Sequence, residues 1–217
     1  MALVILDYDG MLADTLDGLI SSGQEACNRL GVRHLVTQED ISNLEVMSFP
    51  TYGRACEVPE HLIGEFVEIC LNILAENESP PAIFPGLREV VEGLFANNHK
   101  IAIVTTNSSQ NVHAFLTQHG LDSLVHAIYG VDTPGSKAQK IAMARERFAK
   151  NGEAVFMIGD SLSDIRAAKE AGVTSIAVTW GHQSLGTLLR GEPNYVVNDS
   201  YELIQAIEGK NSSILGV

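Results

Sequence analysis

Leu3-Val4-Ile5-Leu6-Asp7-Tyr8-Asp9-Gly10 decides the reading of this chain. An unbroken apolar run ends in two carboxylates and then a glycine. A run this short, β-branched at its centre and closed by Gly, predicts a strand buried on both faces. Charge must leave such a strand at its end, so Asp7 and Asp9 belong at the carboxyl edge of a sheet. In open parallel sheets that edge is where ligands bind. Alternation places the two carboxylates on one side, where they repel each other unless a cation or a shared proton intervenes. The corner suits a hard cation such as Mg²⁺. Taken alone, Asp-Tyr-Asp-Gly also reads as an ordinary turn, since Asp and Gly are common turn residues. A second acidic site far down the chain shifts that balance.

The chain has 217 residues, 45% hydrophobic and 19% charged. It is long enough for a sizeable core, in one large domain or two small ones. A formal net charge of −13 argues against a nucleic-acid partner, because no basic surface is available to neutralise phosphates. An acidic protein that binds an anion needs a metal or a few well-placed cations. Cys27, Cys56 and Cys70 have no CxxC spacing and read as reduced thiols of a cytoplasmic protein. No stretch is long enough to span a bilayer, and no basic start precedes the first apolar run, so neither a membrane association nor a signal peptide is expected.

Along the chain, the apolar spacing predicts a helix from Met11 to about Leu30 and a helix start with a capping box at Thr37–Asp40. Met47–Val58, with Pro50 and Gly53, reads as loop or broken helix, and His61–Glu76 as an amphipathic helix. Residues 15–80 are thus expected to be all-helical. Ser79-Pro80-Pro81 breaks the pattern. Beyond it, helices and short apolar strands alternate, with strands at Ile101–Thr105, His126–Val131, Ala154–Ile158, Ser175–Thr179 and Tyr195–Val197. That alternation predicts an α/β fold, a doubly wound parallel sheet with helices on both faces. Residues 1–14 and 81–217 form its core domain, and 15–80 an inserted helical cap over the sheet's carboxyl edge.

Val155-Phe156-Met157-Ile158-Gly159-Asp160 repeats the opening theme, and Asp164 follows. Asp164 also fits the N-terminal acid of a helix that begins with a capping box at Ser161. Asp-x-Asp-Gly-x-Leu-x-Asp after a first strand, with Gly-Asp-x-x-x-Asp after a late one, resembles the haloacid dehalogenase superfamily. More narrowly, it resembles the phosphoglycolate phosphatase-like members with a helical cap after the first motif. Two further motifs match by position. Thr105 ends the second strand, with Thr106 and Asn107 beside it. Lys137 follows an expected N-cap at Ser136, where a cation opposes the helix dipole by about 0.3–1 kcal/mol, so another use is indicated. Lys140 reads better as a solvated helix face. Met11 departs from the pattern, standing where these proteins usually carry Thr; a shift in loop geometry is expected rather than loss of chemistry.

The resemblance implies Mg²⁺-dependent hydrolysis of a small phosphomonoester, phosphoglycolate- or sugar-phosphate-like, through an aspartyl-phosphate. Asp7 would be the nucleophile and Asp9 the general acid and base. The metal would sit on the Asp7 carboxylate, the Asp9 carbonyl and Asp160, with Asp164 behind it orienting the metal site or Lys137. Thr105, Thr106, Asn107 and Lys137 would hold the phosphoryl group. In the cap, Arg54 is placed in a Pro/Gly-rich stretch suited to touching substrate, though a plain surface arginine is as good a reading. Two alternatives stay open: a phosphosugar mutase, for which Leu19 stands where a cap histidine is wanted, and a catalytically silent binding or regulatory protein. Either a monomer or a homodimer is compatible.

Overall fold

A computed structural model describes residues 1–76 and 81–209. In chain order the strands are β1 (Ala2–Leu6), β2 (Ala13–Asp14), β3 (Ala82–Ile83), β4 (Lys100–Val104), β5 (Ala127–Tyr129), β6 (Ala154–Gly159), β7 (Thr174–Val178) and β8 (Tyr195–Val197). The helices are α1 (Leu16–Arg29), α2 (Glu39–Ser42), α3 (Phe49–Ala55), α4 (Ile63–Glu76), α5 (Leu87–Ala96), α6 (Ser109–Gln118), α7 (Lys137–Phe148), α8 (Leu162–Ala171), α9 (Leu185–Leu189) and α10 (Ser200–Glu208). Six strands form one parallel sheet in the order β5-β4-β1-β6-β7-β8. The fold is the expected α/β architecture.

Strand β1 is central, and every one of its residues is buried. Its alternate side chains feed two cores. Val4 and Leu6 join the cluster under α5, α6 and α10, around Leu87, Phe115 and Leu203. Leu3 and Ile5 join the opposite cluster with Ala138, Ile141 and Ala144 of α7 and Ala167 and Ala168 of α8. This double burial is why the strand reads as a continuous apolar run rather than an alternating one. It also sets direction: Asp7 continues the parity of Leu3 and Ile5 and so faces the side of α7 and α8.

Helices α1 to α4 close over a cluster of their own, including Ala26, Cys27, Ile41, Tyr52, Phe66 and Cys70. Tyr52 meets the Phe66 ring edge-on, with centroids 5.6 Å apart, and its hydroxyl donates to Leu19 O at 2.9 Å. The chain leaves and re-enters the sheet domain through a two-stranded antiparallel ribbon, in which Ala13 pairs with Ile83 and Asp14 with Ala82.

Several local expectations need correction. The first helix begins at Leu16 rather than Met11, because residues 11–14 are taken up by a turn and the ribbon. Met11 itself is buried, 1% exposed, and its carbonyl accepts from Trp180 Nε1 at 3.1 Å. Met47–Val58 contains a true helix, α3, with a Ser48–Thr51 capping box; Pro50 sits in the first turn, where a missing N–H costs nothing. At Thr37–Asp40 the helix begins at Glu39 and half of the capping box forms: Asp40 Oδ2 accepts from the Thr37 amide at 2.8 Å, while the Thr37 hydroxyl donates to the same carboxylate rather than capping the helix. Lys140 is not solvated: it is buried and donates to Gly130 O at 2.6 Å. Helix α9 and the ribbon were not anticipated, being too short for periodicity to register. The Ser79-Pro80 break and everything after Gly209 lie outside the described residues.

Candidate active site

Three strands deliver the candidate residues to one edge. Asp7 follows β1, with its amide donating to Ile158 O of β6 at 2.8 Å. Thr105 follows β4 and Asp160 follows β6, the two neighbours of β1 in the sheet. Helix α7 starts at Lys137, where the Ser136 hydroxyl caps the Gln139 amide and Gln139 reaches back to the Ser136 amide. Helix α8 starts with a second capping box, between Ser161 and Asp164.

The Lys137 ammonium lies 2.9 Å from Asp7 Oδ1 and also pairs with Asp164 Oδ1. One ligand oxygen from each of Asp7, Asp160 and Asp164 falls within 4.8 Å of the others, and all three residues are buried. Burial and the Asp164 charge raise the Asp7 carboxyl well above its usual range, against the pull of Lys137. The same two causes push Asp160 up to about 7. Burial opposes charge on Lys137, yet Asp164 and Asp7 outweigh it and its pKa rises. Three carboxylates against one ammonium leave surplus negative charge in a dry site. Such an oxygen-only donor set fits a hard divalent cation, which relieves the repulsion that adds to burial in raising the Asp7 and Asp160 pKa values.

Asp9 stands apart from this trio. Its Oδ2 accepts from Asn107 Nδ2 at 3.0 Å, while burial raises its pKa. Asn107 is itself fixed: its amide donates to Thr105 Oγ1 at 3.0 Å, and its side-chain oxygen accepts from the Ser108 amide and from Asn111. So Asn107, expected at the phosphoryl group, makes its described bond to Asp9. Thr105 is buried and Thr106 exposed. Arg54 makes a bidentate pair with Glu60, at 3.0 and 2.6 Å, on the surface of the helical segment.

One stretch escaped the sequence reading. After β7 the chain runs Trp180-Gly181-His182-Gln183-Ser184. Gly181 packs so tightly on Asp160 and the Gly10 carbonyl that a Cβ there would collide with both. The His182 amide donates to Asp160 Oδ2 at 2.7 Å, and its Nε2 lies 3.2 Å from Thr15 Oγ1. Burial lowers the His182 pKa, with Asp9 and Asp14 opposing. The one available signal was position: this stretch follows a buried strand at the edge where ligands bind.

Comparison with known proteins gives a consistent result. Residues 4–178 match the family described as haloacid dehalogenase-like hydrolase. A phosphoglycolate phosphatase from Synechococcus elongatus is 25% identical, over 95% of this chain and 97% of its own length. A 5'-nucleotidase from Pseudomonas aeruginosa is 28% identical over 94% and 95%. A solved haloacid dehalogenase-like hydrolase from Streptococcus pneumoniae superposes with a TM-score of 0.83 at 23% identity, covering 95% of this chain and 98% of that one.

Proposed function

The chain belongs to the haloacid dehalogenase-like hydrolases, and from that premise we propose that it is a phosphatase acting on a small phosphomonoester, through a phosphorylated aspartate. The supporting observation is the assembly of Asp7, Asp160, Asp164 and Lys137, from three separate parts of the sequence. The likeness to a phosphoglycolate phosphatase and to a 5'-nucleotidase supports a small phosphorylated metabolite as substrate.

Asp7 is the nucleophile. Its carboxylate oxygen forms the bond to phosphorus as the bond to the ester oxygen breaks. Asp9, held by Asn107, gives its proton to the departing alkoxide. It then takes a proton from the water that cleaves the acyl phosphate, which releases orthophosphate and restores Asp7. Burial raises the Asp9 pKa, the direction a general acid requires. Lys137 and Thr105 receive phosphoryl oxygens, and the exposed Thr106 contributes its amide. Asp7, Asp160 and the Asp9 carbonyl would hold Mg²⁺, with Asp164 anchoring Lys137 from behind. When bound, the ion offsets the repulsion between an anionic nucleophile and an anionic substrate.

Residues 15–80 act in this reading as a cap that admits the leaving group and excludes water. Arg54, occupied by Glu60, has no part in the chemistry. The mutase reading gains nothing, since Leu19 is packed against the apolar cluster of the helical segment. A panel of phosphorylated metabolites with Mg²⁺ tests the proposal. Orthophosphate release from at least one small monoester is expected, and release from none rejects it.

A further inference from the structure

The segment after β7 bonds to both halves of the molecule at once. Gln183 is 3% exposed, and both ends of its amide are used. Its Oε1 accepts from the Leu162 amide at 2.6 Å, and its Nε2 donates to Leu44 O at 2.6 Å. Leu162 opens α8, so this amide is one of the helix-start donors that no internal carbonyl can satisfy. Leu44 lies in the helical segment, just beyond α2. Beside it the Ser184 amide donates to Ser42 O at 2.9 Å, and Thr187 Oγ1 donates to the same carbonyl at 3.2 Å. Arg166 of α8 meets Glu45 at 2.9 Å on the surface. Every one of these contacts on the helical side falls in residues 42–45.

We propose that Gln183 is a positioning residue for the reaction, the centre of a latch at 183–187 that seats residues 42–45 of the cap on the helix carrying Asp164. This rests on the phosphatase reading given above. A buried amide is costly to leave unpaired, so Gln183 favours the arrangement in which both carbonyl and amide partners are present. Helix α8 carries Asp164 to Lys137, and Lys137 reaches Asp7. The latch therefore links cap seating to the cation that faces the nucleophile. The neighbouring His182 amide fixes Asp160 from the same turn of chain.

Two side-chain changes separate the two bonds. Gln183→Glu keeps an acceptor for Leu162 and sets a carboxylate against the Leu44 carbonyl. Thr187→Val removes one hydroxyl with little change of shape and serves if Gln183→Glu folds poorly. The cap-to-core distance is read by electron–electron double resonance on the full chain, with nitroxides at Leu71→Cys and Met143→Cys. Both sites are exposed, at 49% and 42%, whereas Cys27, Cys56 and Cys70 are buried and escape labelling. With Mg²⁺ and orthovanadate the parent should give one narrow distance. Gln183→Glu should add a longer, broader population, and Thr187→Val a smaller one. In parallel, kcat/KM for 2-phosphoglycolate and for p-nitrophenyl phosphate should fall roughly three- to tenfold in Gln183→Glu, the range expected for a lost buried hydrogen bond. The concentration of Mg²⁺ giving half-maximal rate should stay within about twofold, since the bond to α8 survives. Distances and kcat/KM unchanged in both variants overturn the proposal, as does a loss of rate with no change of distance. A parent that hydrolyses neither ester counts against the phosphatase reading alone, and the distance measurement still decides whether the latch exists.

Discussion

Asp7 carries the sharpest prediction at the level of single residues. Asp7→Asn keeps size and shape but removes the proposed nucleophile. The rate of orthophosphate release should fall by at least about three orders of magnitude, with the far-ultraviolet circular dichroism unchanged. Gly181 makes a second. A methyl group there must push Asp160 aside, so Gly181→Ala should raise the Mg²⁺ needed for half-maximal rate several-fold and cost about 1–3 kcal/mol of stability in urea titration. Asp7, Asp160 and Lys137 were legible in the sequence because each breaks a local rule: charge at the end of a buried strand, or a cation where the helix dipole opposes it. His182 and Gln183 break none. Their importance comes from partners at Thr15, Leu44 and Leu162, contacts that only the folded chain creates. Asn107 was legible as a site residue but not in its partner, because nothing local tells a side chain that it will meet Asp9.

Secondary-structure elements were readable in proportion to their length. Helices of ten residues or more and the buried strands announced themselves by apolar periodicity, and apart from the start of the first helix their boundaries shifted by only one or two residues. Met11–Leu30 was misjudged at its start because Leu12 keeps helical spacing with Leu16 while actually serving the sheet domain's core. Capping was readable where a Ser precedes Gln or Asp by three, as at Ser136 and Ser161, and only half formed at Thr37, where Asp40 accepts from the Thr37 amide but the Thr37 hydroxyl turns to the same carboxylate instead of the helix. Ser136 matters beyond its own helix, because it sets where α7 begins and so where Lys137 points. Ser136→Ala should lower stability by about 0.5–2 kcal/mol in chemical denaturation, the usual loss for a serine N-cap. The loss of rate should exceed what that destabilisation alone explains. A variant with parent-like kcat would show that Lys137 is placed by its ion pairs instead.

For the molecule as a whole, electrostatics set an expectation that does not depend on turnover. The net charge is −13, and three buried carboxylates lie together, two of them paired with one ammonium. A divalent cation that binds only the folded state must stabilise it by mass action, by about 2.7 kcal/mol at a hundred times its dissociation constant. The thermal midpoint should therefore climb with added Mg²⁺ and drop on chelation, in differential scanning calorimetry. Asp160→Asn should blunt the climb. A midpoint indifferent to Mg²⁺ would remove the trio as a cation site.

The ribbon of Ala13–Asp14 against Ala82–Ile83 has a consequence for how such a protein can change. Because departure and return lie side by side, whatever is spliced between them leaves the strand order of the sheet undisturbed. A two-residue hairpin turn could bridge Asp14 to Ala82 directly, yielding a miniature that retains the whole acidic pocket under open water. The helical segment can thus be exchanged or lost as one unit while the acidic pocket beneath it keeps its geometry.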